Sequence, residues 1–368
     1  TLYGICASRP EPVDLLPSFV EDASAEEWKR RRGACQVAPR VYCLISRNPY
    51  FLLHYDVIYS IIAHERLIRM NCEFRPKGEV ADAAGRLEVL EILRRYYEAP
   101  VPVPGERFHL AMPFEHRDLS FFCPLGDTKS TLLANWCMAV LFRVLSLDNI
   151  ICLFSAAFQE RQVVVISRNL GHLSCAVLAV LPMLRPLEWQ GLLVPVLPEQ
   201  LKTMCHAPVP FLIGVCKLAT KVKRELHSAG VVLVDLDRNL ALLPADLPQL
   251  PEARKLFTAL RQQYAGLHDA SDCSGDNPYY TSDQQLASVQ AVCAAFSRYC
   301  TWLLDSVCQH FLTIRDPTDY EQRDQVRVAF VQGLEASGGC AAFMRGFLET
   351  QHFTNFLDGW LRKQSAYY

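Results

Sequence analysis

LDNIICLFSAAFQERQVVVIS, Leu147 to Ser167, holds the pattern that decides the fold. Asp148 is placed to cap a helix over Asn149–Glu160. QVVVIS, ending at Ser167, is an unbroken apolar run of the kind that forms a strand buried on both faces. The alternation continues in both directions. A helix over Thr131–Ser146 precedes the stretch. A helix over Ser174–Leu184, the strand GLLVPVL, a short helix near Glu199–Met204 and the strand PFLIGV follow it. A helix over Leu218–His227 and the strand GVVLVDLD close the series. Strands and helices taking turns require crossover connections, and so predict a mostly parallel sheet with helices on both faces. Within this series Pro195 and Pro198 bound one strand, while Pro208 and Pro210 force the chain extended into FLIGV, where Gly214 permits close backbone packing.

The flanking blocks differ in kind. Upstream, RVYCLIS (Arg40–Ser46) is β-branched and aromatic enough for a strand. Asn48 and Pro49 then supply a helix cap and first-turn proline. Phe51, Leu52, Tyr55, Ile58, Ile61 and Ile62 follow at helical spacing. A second helix is predicted over Ala81–Glu98, using Leu87, Leu90, Leu93 and Tyr97 as its apolar stripe. APVPVPGER, Ala99 to Arg107, is a stiff proline-rich linker. Downstream, HDASDCSGDNP (His268–Pro278) interrupts the chain as a polar loop. Leu286, Val289, Cys293, Phe296, Cys300, Leu303, Val307 and Phe311 then form one stripe of a long helix, with a helix pair at Val326–Leu334 and Cys340–Leu361 behind it. The segments expected are 1–98, a linker at 99–107, an α/β block at 108–264, a loop at 265–281 and a helical block at 282–368. No internal repeat is apparent.

Composition narrows the function. Lys plus Arg (37) nearly balance Asp plus Glu (39), so no global basic field points to nucleic acid. The 15 cysteines are scattered without a C-x-x-C pair, which gives neither a zinc ribbon nor a redox motif and fits reduced, core-filling cysteine in the cytosol. The longest apolar run, Cys175–Leu184, stops at Arg185, far short of the ~20 residues of a membrane span.

The local motifs fail as catalytic signatures. His116-Arg117-Asp118 resembles a kinase catalytic loop, but Cys123 stands where the magnesium-binding Asn belongs. GDTKS, Gly126 to Ser130, has Thr128 where a phosphate loop needs Gly before Lys, and reads as a polar loop with Ser130 or Thr131 capping a helix. RNLGHLS after Ser167 has one glycine where dinucleotide binding needs three and is no nucleophile elbow, so Ser174 and His172 make no hydrolase pair. It reads as a strand-to-helix loop. Asp235 and Asp237 would share a strand face but lack a third metal ligand. Cys293 and Cys300 lie about 10 Å apart along one helix, too far for a disulfide. Cys205 and His206 read as loop residues.

From Leu147 to Asp237 the order of elements closely resembles the central segment of the DENN domain family. The resemblance rests on Glu160-Arg161 at a helix end, P-x-x-W-Q at Pro186–Gln190, V-P-V-L-P at Val194–Pro198, P-V-P-F-L-I-G at Pro208–Gly214 and V-D-L-D at Val234–Asp237. LYGIC (Leu2–Cys6) and YCLISRNPYF (Tyr42–Phe51) resemble the end of the family's upstream segment, and FLETQHFTNFL (Phe347–Leu357) the close of its downstream one. The family's first strand or strands would precede Thr1. The resemblance implies an α/β fold in two lobes, a longin-like α+β N-lobe and a C-lobe built as a three-layer α/β sandwich with added helices. It also implies an exchange factor for a Rab-family small GTPase, GDP-bound or nucleotide-free, docked between the lobes. Such a factor needs no cofactor, no metal and no covalent catalysis, and acts in the cytoplasm, peripherally on endosomal or other trafficking membranes. The expected GTPase contacts are Ser46, Arg47 and Tyr50 upstream, and Arg168, Asn169 and His172 in the strand-end loop. The alternative is a scaffold or GTPase-binding subunit without exchange activity, or one assisting hydrolysis through an exposed arginine, Arg161 or Arg168.

Overall fold

In the computed structural model the chain separates into two units, Thr1–Lys129 and Ser130–Tyr368. Residues 2–12, 37–73, 80–112, 118–125, 128–268, 281–314, 319–336 and 340–365 are described. His116 and Arg117 of the HRD motif, Gly126 and Asp127 of GDTKS, and residues 269–280 of the polar loop lie outside them.

The first unit begins with an antiparallel ribbon of β1 (Tyr3–Pro12) and β2 (Val37–Ser46), in register from Tyr3 opposite Ser46 to Pro12 opposite Val37. Helix α1 (Phe51–Glu73) covers one ribbon face. Ile5 and Ala7 are buried there together with Leu53, Val57, Ile58 and Ile61, and the Tyr55 hydroxyl donates to the Cys6 carbonyl at 3.2 Å. Asn48 does not cap this helix. Its N–H donates to Ser46 Oγ at 3.1 Å, and the first helical hydrogen bond runs from the His54 N–H to the Tyr50 carbonyl. The serine hydroxyl competes for the backbone and delays the helix by a few residues.

Helix α2 (Val80–Glu98) buries Ile92 and leaves Leu90, Leu93 and Tyr97 exposed. The expected stripe is therefore turned away from the packed face; the Leu87 side chain lies outside the described set. The proline-rich stretch 99–107 leads into an antiparallel pair, β3 (Arg107–Leu110) and β4 (Leu119–Phe122), within the same unit. Gly105 has a φ of 87°, which favours glycine.

The second unit is built on a five-stranded mixed sheet. β5 (Val163–Ile166), β6 (Leu192–Val194), β7 (Phe211–Val215), β8 (Val232–Asp235) and β9 (Leu240–Leu242) lie in the order β6-β7-β5-β8-β9. The first four in that order are parallel, and β9 runs antiparallel at the edge. β5, β7 and β8 are buried along their whole length, as continuous apolar strands require. Helices α4 (Leu147–Phe158) and α5 (Leu170–Met183) pack on one face. A 3-10 helix (Glu199–His206) and α6 (Thr220–Ser228) cover the other, where Val164, Ile166, Phe211, Ile213 and Leu233 meet Cys205 and Leu226.

Helix α3 (Thr128–Val144) starts before Ser130 and Thr131, so neither is its cap. α4 has Ser146 at its N-cap position, with no side-chain cap bond, and Asp148 in its first turn. Asp148 thus acts through charge at the helix start rather than as the cap. Two elements carry no clear sequence signal: β9 and helix α7 (Ala253–His268), which buries Leu256, Leu260 and Leu267. The long helix α8 (Asp283–Cys308) packs against α7 and α5, and Ser282 with Gln285 forms a capping box at its start.

Helix α9 (Tyr320–Ala336) precedes α10 (Ala341–Leu348) and α11 (Gln351–Ser365). The single helix expected over Cys340–Leu361 is thus two. The break at Thr350 exposes backbone N–H groups that Glu160 captures. Glu160 follows α4 in the left-handed region (φ 47°) and accepts from the Gln351 N–H at 2.6 Å and the His352 N–H at 2.9 Å.

The same junction anchors three further elements. Gln159 Nε2 donates to the Phe343 carbonyl in α10 at 2.9 Å, and a Cβ on Gly346 would sit 2.3 Å from Gln159 Oε1. Arg161 pairs with Asp246, and Gln162 Nε2 donates to the Ala207 carbonyl before β7. Aromatic rings extend the attachment. Phe158 stacks on Phe347 at 4.7 Å, and Phe347 meets Phe353 at 5.0 Å.

Gly214 is fixed by close approach. Its carbonyl accepts from the Leu197 N–H at 2.7 Å, and a Cβ would lie 2.1 Å from the Pro195 carbonyl oxygen. Neither backbone can yield without parting β7 from the segment after β6. Gly214→Ala is expected to lower stability by about 3 kcal/mol through overpacking, read as a lower urea midpoint.

His352 is buried beside Glu160, with Nδ1 at 3.2 Å from Oε1. Burial lowers its pKa from 6.5 to about 4, so the folded chain holds it neutral. The unfolded chain takes up a proton below about 6.5. Stability is therefore full above that pH and falls as the pH drops toward 4, by about 3 kcal/mol in all. Urea unfolding at pH 7 and pH 5 should show about 2 kcal/mol of this loss, and His352→Gln should flatten it.

Candidate functional site

β5 lies at the centre of the parallel strands and delivers Ser167 to their carboxyl end, where folds of this class place ligand contacts. Ser167 is fully buried, and its Oγ donates to Asp237 Oδ1 at 2.7 Å. The Arg168 N–H donates to Asp237 Oδ2 at 3.0 Å, and the Asn169 N–H to Ser167 Oγ at 3.1 Å. Both carboxylate oxygens of Asp237 thus hold the start of the loop. Burial opposes the charge on Asp237, but these bonds and the positive charge of Arg168 outweigh it and keep its pKa below the usual range.

The segment Arg168–His172 is a helix start rather than a free loop. Asn169 is the N-cap of α5, and its Oδ1 accepts from the Gly171 N–H at 2.9 Å and the His172 N–H at 3.1 Å. His172 is half-buried, and burial lowers its pKa; Asp237 pulls the other way. Ser174 Oγ donates to the Gly171 carbonyl within the helix. What projects is Arg168, Asn169 and Leu170, the last 53% exposed. An arginine beside an exposed leucine on a clamped backbone suits recognition of a protein surface.

Asp235 and Asp237 do not share a site. Asp235 is buried and pairs with Lys223 Nζ at 2.8 Å, while Asp237 lies beyond the strand end. The chain turns between them, which separates two carboxylates that an extended strand would align.

In the first unit, Ser46 ends β2 and accepts from the Asn48 N–H. Arg47 is exposed. Tyr50 is half-buried with its ring 5.5 Å from Phe121 and 6.1 Å from His54. Burial raises the pKa of its hydroxyl, and Cys123 adds to the effect. His54 is held by the Asn48 carbonyl at 3.1 Å and by the Tyr96 hydroxyl, and burial lowers its pKa. Ser46 and Tyr50 therefore shape the turn that presents Arg47. Leu170 and the clamping role of Asp237 escape sequence reasoning. VDLD marks Asp237 as notable, but its partner Ser167 lies 70 residues away.

The model of the DENN (AEX-3) domain matches residues 37–239, more than half of the chain. The chain belongs to the DENN family. All six candidate residues and Asp237 fall inside the DENN match. Human DENN domain-containing protein 2A is 26% identical over 384 residues, covering 97% of this chain and 35% of that protein. Mouse DENN domain-containing protein 1A is 26% identical over 335 residues, covering 90% and 28%. The MAP kinase-activating death domain protein of Caenorhabditis elegans is 35% identical over 290 residues, covering 68% and 20%. This DENN chain thus spans about a third or less of the length of these relatives.

The clamp gives a direct test. Asp237→Ala leaves the buried Ser167 hydroxyl and the Arg168 N–H without their acceptor. A loss of about 1–3 kcal/mol is expected in urea unfolding, with a smaller loss for Asp237→Asn.

Proposed function

We propose that this DENN chain is a guanine-nucleotide exchange factor that promotes GDP release from a Rab-family small GTPase and so regulates membrane trafficking. Membership of the DENN family carries the reading. The strand-end surface agrees with it, since it offers contact groups on a fixed backbone. In this reading residues 1–98 contribute a longin-like N-lobe, residues 99–107 a linker and residues 108–264 the sandwich of the C-lobe. The loop 265–281 and the helices of 282–368 complete that lobe, and the GTPase engages both lobes. The site of action is cytoplasmic, by peripheral recruitment to a trafficking membrane. No helix among the described residues is long and apolar enough to cross a membrane.

Exchange is a linkage effect. A protein that binds the nucleotide-free GTPase more tightly than the loaded form must weaken nucleotide binding by the same factor. That differential is preserved only if the docking surface does not yield, which is what the Asp237 clamp and the Asn169 cap supply. Arg47 and Arg168 are the contact residues proposed first, with Ser46, Tyr50, Asn169 and His172 shaping the turns that carry them.

The hydrolysis-assisting alternative needs a free arginine aimed at a γ-phosphate. Of its two candidates, Arg161 pairs with Asp246 at 2.5 Å beside the α4–β5 junction, which leaves Arg168, exposed and hydrogen-bonded to Asp237 through its backbone N–H, as the arginine that reading would use.

Release of a fluorescent GDP from a panel of Rab proteins, in excess unlabelled nucleotide, tests the proposal. At least one Rab should be accelerated, and Arg168→Glu and Arg47→Glu should each slow that release about tenfold, or ~1.4 kcal/mol. Acceleration of none, together with binding of a GTP-loaded Rab, would replace exchange by an effector or scaffold role.

A further inference from the structure

The ribbon face opposite α1 carries a cysteine pair. Cys6 stands directly opposite Cys43 in the β1–β2 register, and the two Sγ atoms are 3.2 Å apart. Both cysteines are exposed, with Val41 and Ile45 exposed on the same side of β2. Their cross-strand neighbours are Gly4 opposite Ile45 and Ser8 opposite Val41, so small side chains flank the pair on β1. A disulfide needs sulfurs about 2.05 Å apart. Closing the remaining gap of about 1 Å is within reach of side-chain rotation on a paired ribbon.

The other described cysteines are placed differently. Cys137 and Cys175 also face each other, but both are fully buried in the second unit, out of reach of a solute. Cys123, Cys205, Cys300 and Cys308 are buried as well. Cys152, Cys216 and Cys293 are half-buried, and Cys340 is exposed.

We infer that Cys6 and Cys43 form a reversible disulfide by exchange with a low-molecular-weight disulfide such as glutathione disulfide. The thiolate of one cysteine attacks a sulfur of the small disulfide and releases one glutathione. The second cysteine then attacks the mixed disulfide and releases the other. Two electrons pass from the cysteine sulfurs to the glutathione disulfide, and both thiol protons end on the released glutathiones. Partial burial, with Cys43 alongside, pushes the Cys6 thiol up to about 11, so little thiolate exists at neutral pH and closure is slow. The bond joins residues 37 apart and fixes the register of β2, the strand that leads to Ser46 and Arg47.

The reduced chain, incubated with glutathione disulfide at about pH 8.5 to supply thiolate, provides the test. The thiols of Cys6 and Cys43 should be lost together, with the loss of two hydrogens and no glutathione retained on either. Digestion should release one linked pair of peptides containing Cys6 and Cys43, and dithiothreitol should restore both thiols. In Cys6→Ser the remaining Cys43 should retain one glutathione as a mixed disulfide. A linked pair joining Cys6 or Cys43 to another cysteine, a stable glutathione adduct on either of them in the unmodified sequence, or no loss of these two thiols would each overturn the inference.

Discussion

The carboxylate of Glu160 is the contact on which the second unit's architecture depends. It sits just past α4, in a left-handed backbone conformation that turns it out of the helix, and it closes the open end of α11 some 190 residues later. A negative charge at a helix N-terminus satisfies two N–H groups and meets the positive end of the helix dipole. Its neighbours extend the effect. Gln159 holds α10, Arg161 holds the segment after β9, and Gln162 holds the proline-rich approach to β7. Four consecutive side chains thus reach four separate parts of the chain. Their geometry also explains Gly346, since any side chain there would strike Gln159.

β5 begins immediately after this junction and ends at Ser167, so both of its ends are fixed. At one end stand the side chains of Gln159–Gln162, at the other the Asp237 carboxylate. The strand is only four residues long and buried on both faces, which leaves little room for independent movement. A contact surface placed at its carboxyl end inherits that stiffness. The prolines on the adjacent connection work in the same direction. Pro195 and Pro210 offer carbonyls but no N–H, and those carbonyls press against Gly214 and Gly191, where a Cβ would lie 2.1 Å and 2.5 Å away.

The strands were legible because burial on both faces leaves an unbroken apolar run, as in VVVI and FLIGV. Most of the long stripe of α8 was legible through burial of Val289, Phe296, Cys300, Leu303 and Val307, but the helix ends at Cys308 and Phe311 is buried from a separate 3-10 helix, Gln309–Thr313. Where side chains have a choice, the sequence misled. Leu90, Leu93 and Tyr97 form a stripe by spacing, yet α2 packs through Ile92 and turns them outward. Helix ends were misplaced wherever the deciding group lies elsewhere in the chain or competes locally. Ser46 takes the Asn48 N–H, and Glu160 supplies what α11 lacks. The candidate site was legible as a location, the end of β5, but not as a mechanism of support. The Ser167–Asp237 pairing depends on two parallel strands lying side by side, which no local pattern encodes.

The six candidate residues are therefore not equivalent as contacts. Asn169 Oδ1 already accepts two N–H groups of α5, Ser46 Oγ accepts one in the β2–α1 turn, and the Tyr50 ring lies against Phe121. Replacing any of these alters the shape of the surface along with its chemistry, so a loss of binding would not separate the two. Arg168 differs, because its backbone N–H makes the hydrogen bond to Asp237 while its side chain acts on that carboxylate only through charge. The guanidinium can be removed while the clamp stays. Arg47 occupies the comparable place in the first unit, exposed between a strand end and a helix start that other residues hold. Each of these two arginines can therefore be tested on its own unit without disturbing the groups that hold its backbone, and Leu170 stands exposed beside Arg168 as an apolar neighbour.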